Sequence, residues 1–216
     1  AEQMDIFREA LGIPYDGEGS PYEHLEIDAN EAERWCLDSP FNQLKTRIFD
    51  APKVPIPNSL VPKYRDKIST QASFGNILHD LSRGNSALAS RIITTSPDVS
   101  VSTNLGPWVN QRGVFSLDVR NDVFRDEKVA SAQKWLRHGG GQHMELGIAE
   151  SNLFTMLAAL GLSGPIFGTR LLPVGTLYDP FIARGLDALN YACYQDARFM
   201  LVATPAGITL AQQGGA

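Results

Sequence analysis

Three stretches carry residue types and spacings able to do chemistry. In Leu146-Gly-Ile-Ala-Glu150, a glycine-rich entry (Gly139-Gly-Gly-Gln-His143) leads into an apolar helix with a carboxylate in its first turn. Asp98-Val99-Ser-Val-Ser-Thr-Asn-Leu105 is a polar run lying just beyond the β-branched segment Arg91-Ile-Ile-Thr-Thr95. Gly175-Thr-Leu-Tyr178-Asp-Pro-Phe181 spaces two aromatics three apart and runs into a helix bearing Arg184. A carboxylic acid held against a ring nitrogen can share a proton with it. Two aromatic faces can stack a planar heterocycle for about 0.5–1.5 kcal/mol beyond simple area burial. Each stretch also has a plain reading. An acid at the positive end of a helix gains about 0.3–1 kcal/mol with no ligand at all. Asp98 can cap a strand end, Val99 can be a core valine, and Tyr178 and Phe181 can be core aromatics.

Other constellations fall away. His138-Gly139-Gly140-Gly141 looks like an esterase oxyanion loop, but no Gly-x-Ser-x-Gly elbow accompanies it, so a flexible entry turn is the better reading. No GxxxxGK[ST] loop and no GxGxxG after a strand occurs. His24, His79, His138 and His143 do not cluster as metal ligands. Cys36 and Cys193 are too far apart to suggest a disulfide framework, and Cys193 reads as a small hydrophobe on an apolar helix face.

The elements that must position these residues follow from periodicity. Phe74, Ile77, Leu78 and Leu81 share one face of a helix over 70–81, and Leu153, Met156, Leu157 and Leu160 share one over 149–160, with a left-handed cap expected at Gly161. Strands are expected at 91–95, 142–146, 165–174 in two pieces, and 199–204, with a helix over 180–197 opened by Pro180. Residues 106–138, with Trp108, Trp135 and a charged run over 118–128, suggest an exposed excursion. Helices are expected over Glu2–Leu11 and Ala29–Leu37, the second capped by Asp28, with a polar loop at 16–21 between them. Four prolines in Ala51–Pro62 make a semi-rigid connector. The expected organisation is therefore an arm and linker over 1–65 and an α/β domain over 66–216. That domain is an open, mostly parallel sheet with helices on both faces, which binds ligands at the carboxyl ends of its strands.

At 216 residues, 43% hydrophobic and with a net charge of −5, the chain can build one ordinary core. Its 19 basic residues are scattered, which argues against nucleic acid and membrane surfaces as partners. A reducing, cytoplasmic home is expected, as is the continuation of the polypeptide beyond both ends.

Over roughly 66–216, the three stretches resemble the pyrimidine-binding (central) domain of thiamine-diphosphate enzymes of the transketolase superfamily. Ile68-Ser-Thr-Gln-Ala-Ser-Phe-Gly75 and the preceding arm look most like the homodimeric decarboxylating component of 2-oxoacid (pyruvate) dehydrogenase complexes. Asp98 through Leu105 is similar to the Asp-Leu-Thr-x-Ser-Asn-Leu signature of transketolase. The resemblance implies that Glu150 is the catalytic Glu that hydrogen-bonds N1′ of the cofactor aminopyrimidine. It implies that Tyr178 and Phe181 line that ring, that Val99 props the cofactor in its bent posture, and that Asp98 is an acid near the thiazolium. Where the family has Arg or Asn one residue before the Glu, this chain has Ala149; where it has a basic or aromatic residue before its glycine motif, this chain has Gln142-His143. The Gly-Asp-Gly and Asn-Asn motif that holds Mg2+ and the diphosphate is not in this sequence, so those ligands are expected on another domain and none here. The implied partners are the rest of the enzyme, a second copy of it, and a lipoyl acyltransferase. A ketol transferase of the transketolase type, or a non-catalytic domain of the same fold, are the alternatives.

Overall fold

The computed structural model describes residues 2–13, 26–43, 48–62, 67–119, 126–131 and 133–204. The polar loop expected at 16–21, part of the charged run at 118–128 and the segment after Thr204 lie outside the described residues. The chain divides into two compact units, residues 1–47 and 48–216.

The first unit contains helices α1 (Glu2–Ala10), α2 (Ala29–Asp38) and α3 (Pro40–Gln43). Asp28 caps α2 as expected, its carboxylate accepting the Glu31 amide at 2.8 Å and satisfying one of the amides a helix start leaves unpaired.

In the second unit, six strands form one all-parallel sheet, in the order β3-β2-β4-β1-β5-β6. They are β1 (Ile92–Ser96), β2 (Val114–Phe115), β3 (Arg137–His138), β4 (His143–Glu145), β5 (Leu172–Leu177) and β6 (Met200–Ala203). The helices are α4 (Thr70–Ser82), α5 (Gly106–Arg112), α6 (Glu150–Gly161), α7 (Ser163–Phe167) and α8 (Leu186–Tyr194). Alternation along the strands sorts two cores onto the two faces. Leu172 and Val174 of β5 and Val202 of β6 join Leu78, Leu105, Trp108 and Val109 of the α4 and α5 side. Leu177, Leu201 and Ala203 point the other way, onto Leu153, Phe154 and Leu157 of α6. Each buried aliphatic or aromatic side chain contributes about 1.5–3 kcal/mol, against about 0.5–1.5 for a net hydrogen bond. Apolar packing therefore holds the layers together, and the polar groups decide local geometry.

Several sequence expectations are corrected. Residues 165–169 are not a strand: Pro165 lies in the first turn of α7, where its missing N–H costs nothing, and the helix stops at Gly168 (φ 68°). Gly161 is not a left-handed cap; it lies inside the last turn of α6, where a Cβ would stand 2.7 Å from the Arg198 backbone. The helix expected over 180–197 splits into a 3-10 turn, Asp179–Gly185, and then α8. The break falls where Gly185 meets Phe154, with no room for a side chain. Cys193 is exposed on α8 rather than packed. The 106–138 segment is only partly an excursion, because Trp108 is fully buried in α5, and β2 and β3 extend the sheet. The proline connector packs on the second unit, with Ala51 buried and Val54 against the α4–α5 core. No described helix is long and apolar enough to cross a membrane.

Candidate functional site

Because β4, β1 and β5 are adjacent and parallel, the loops after all three emerge at one sheet edge. From β1 the chain passes to α5 on one face, and from β4 to α6 on the other. Such a divergence opens a crevice at the carboxyl ends of the strands, where open α/β sheets bind ligands. Asp98 and Val99 follow β1, Glu150 follows β4, and Tyr178 and Phe181 follow β5. The topology therefore brings all five expected residues to this edge.

Glu150 opens α6, and the residue is only 7% exposed. Its Oε2 lies 3.3 Å from Nη1 of Arg184, whose side chain remains 54% exposed. That guanidinium also sits 4.3 Å over the Phe181 ring, within the range of a cation–π contact. The Phe181 and Tyr178 rings lie 6.4 Å apart at 45°, and the Tyr178 hydroxyl donates to Ser102 Oγ at 2.7 Å. Ser102 belongs to the turn that carries Asp98 and Val99, so a continuous set of contacts runs from Glu150 to that turn.

Within the turn, Asp98 is exposed and Val99 half-buried. Asp98 adopts a left-handed φ of 63°, and Asn104 at the far end one of 62°. Asp and Asn are the residues with a Cβ that adopt this backbone most readily, and surrounding contacts fix it. Here the Asp98 amide donates to Glu145 Oε1 at 2.8 Å and the Val99 amide to Ser96 Oγ at 3.1 Å. Thr103 meets Thr176 of β5 at 2.9 Å, and Gln71 of α4 donates to the Ser102 carbonyl.

Under this turn lies a polar cluster that no sequence motif marks. His143 is fully buried, its Nδ1 2.9 Å from Thr94 Oγ1 and its Nε2 3.0 Å from Ser100 Oγ and 3.2 Å from Glu145 Oε2. Ser100 Oγ donates to the same carboxylate oxygen at 2.7 Å. Burial alone raises the pKa of Glu145. Hydrogen bonds from His143 and Ser100, attraction to His143 and the Asp98 amide outweigh that, holding the carboxyl below its ordinary 4.5. The detectable signal was His143-x-Glu145: two residues apart on a strand, they share a face. Gln142 is a brace, its amide donating to the carbonyls of Ala89 at 2.8 Å and Ile92 at 2.7 Å.

A concavity of about 530 Å³ lies on the α4 side and is lined by apolar groups such as Ile56, Phe74, Leu81, Met200 and Val202. It holds none of the five residues. Among the described residues, no group of three or more His, Cys, Asp or Glu could hold a metal ion. Compared with known proteins, the chain matches no family model and no curated relative.

Proposed function

We propose that the chain is the pyrimidine-binding domain of a thiamine-diphosphate-dependent decarboxylating component of a 2-oxoacid dehydrogenase, acting on pyruvate or a similar small 2-oxoacid. The observation that carries this reading is the buried Glu150 carboxylate at the carboxyl edge of the sheet, flanked by Phe181 and Tyr178 on the turn after a nearby strand. The residues present fit the pyrimidine end of the cofactor. Glu150 is desolvated on α6 yet reached by a half-exposed guanidinium, so a polar nitrogen can approach its carboxylate. When bound, thiamine diphosphate supplies an acidic thiazolium carbon that adds to the 2-oxo group and accepts the electrons released on decarboxylation. Glu150 would hold the ring nitrogen N1′ and share its proton, setting the tautomer of the aminopyrimidine. Phe181 and Tyr178 would lie against the ring, Val99 would support the bent posture, and Asp98 would place an acid near the thiazolium. The Mg2+ and diphosphate ligands would come from another domain of a cytoplasmic homodimer, which would pass its product to a lipoyl acyltransferase. A transketolase-like ketol transfer is the second reading, favoured by the Asp98–Leu105 signature.

The test uses the full polypeptide that contains this chain, with thiamine diphosphate and Mg2+, assayed on pyruvate and 2-oxobutyrate and separately on sugar phosphates. Glu150→Gln should lower turnover by about 10²-fold or more, the scale of a lost general acid–base group. Unchanged cofactor activation in that variant overturns the reading, and turnover confined to sugar phosphates selects the ketol transferase.

A further inference from the structure

We propose that Glu145 is a positioning residue: braced by buried His143 and Ser100, it sets the turn that presents Asp98 and Val99 to the cofactor. The inference rests on the reading of the site given above.

Glu145 ends β4 beside Ser96, the last residue of β1. One carboxylate oxygen accepts the Asp98 amide at 2.8 Å, and the other takes Ser100 Oγ at 2.7 Å and His143 Nε2 at 3.2 Å. The two oxygens thus grip the first half of the turn at two points, its backbone at Asp98 and its side chain at Ser100. Asp98 adopts a left-handed backbone there, one that Asp tolerates better than most residues, and the bond to its amide helps to hold it. A charged acceptor suits that task, since a hydrogen bond to an ionised group is roughly twice as strong as a neutral one.

His143 is what keeps the carboxylate in place. The contacts place a proton at Nε2, which faces Ser100 and Glu145, while Ser100 donates to Glu145 and Thr94 Oγ1 lies within hydrogen-bond distance of Nδ1. That placement is assigned from the partners. The ring is fully buried and stands 6.2 Å from Trp135, so its orientation is fixed by packing as well. Buried polar networks in which every member is satisfied are rigid, and a rigid support is what a catalytic loop requires. Glu150, Phe181 and Arg184 make none of these contacts; the pyrimidine side reaches the turn through the Tyr178 hydroxyl on Ser102.

The experiment compares Glu145→Ala, Glu145→Gln and Ser100→Ala in the full polypeptide, with Glu150→Ala as the control for the underlying reading. Amide hydrogen exchange over 97–104, measured without cofactor, should rise about tenfold or more in Glu145→Ala, the scale of a lost charged hydrogen bond. It should rise less in Glu145→Gln, whose amide oxygen still accepts from the Asp98 amide. At saturating thiamine diphosphate and Mg2+, kcat should fall in step with turn exchange across the series, with a smaller change in cofactor Kd. Uniformly raised exchange across the whole sheet, or a free turn with wild-type kcat, overturns the positioning role. If Glu150→Ala leaves cofactor activation intact, the reading of the site fails instead, whatever Glu145 does. Should Glu145→Ala not fold, Glu145→Gln and Ser100→Ala decide the same question.

Discussion

The two sides of the crevice are built differently. The turn after β1 is gripped by a buried His, a carboxylate and the hydroxyls of Ser96 and Thr176. The turn after β5 is held by an exposed arginine lying between a buried carboxylate and an aromatic face, by Ser151 Oγ donating to the Arg184 carbonyl, and by one hydroxyl-to-hydroxyl bond. The first side rests on buried polar contacts, while on the second the arginine stays half in water and, on the proposed reading, gives way to the ligand. That reading has a folded-over cofactor resting on a fixed support and meeting a face that can open.

Mutations should separate the two sides by their effect on stability. The largest change is expected for His143→Ala, which leaves a cavity and removes a hydrogen-bond partner from Thr94, Ser100 and Glu145; urea unfolding should show a loss of about 3 kcal/mol. A loss below about 1 kcal/mol would mean that the polar side is no more fixed than the aromatic one. Gly185→Ala should cost about 1–3 kcal/mol by forcing the 179–185 turn off Phe154, which packs directly where the new methyl would stand. Tyr178→Phe removes the bond to Ser102 and should cost about 1 kcal/mol, with a matching rise in proteolysis of the 178–185 turn. Arg184→Met, at an ion pair whose cation is half in water, should change stability by less than about 1 kcal/mol. A larger loss there would make the pair a structural fixture rather than an exchangeable partner.

The smallest effect is a titration. The folded pKa of Glu145 lies below its ordinary 4.5, so its contribution is fully present above that value and is lost as pH falls through the folded value. The stability difference between wild type and Glu145→Gln should therefore be constant near neutral pH and shrink on acidification below about 4.5. A difference that stays flat through that window would remove Glu145 from the acid response.

Much of the frame was legible along the chain. Apolar periodicity located α4 and α6, a β-branched run located β1, an apolar run located β6, and the Asp28 cap announced α2. Glycine and proline were less readable, because their meaning depends on what packs against them. Gly161 looked like a helix stop but makes room for the Arg198 backbone, and Pro165 looked like strand punctuation but sits in a helical first turn. Two-residue strands such as β2 and β3 leave too little pattern to recognise and exist because a neighbouring strand pairs with them.

Residue types and spacing along the chain pointed to three stretches at element ends, and the choice of Glu150, Tyr178, Phe181, Asp98 and Val99 within them came from the resemblance to thiamine-diphosphate enzymes. That they share one sheet edge was decided by strand order, which depends on pairings between segments dozens of residues apart. The His143–Glu145–Ser100 brace and the Arg184 contact to Glu150 were likewise decided only in three dimensions. Burial and hydrogen-bond partnership belong to the packed molecule, and a carboxylate such as Glu150 has neither until β4 and α6 set it beside the turn that follows β5.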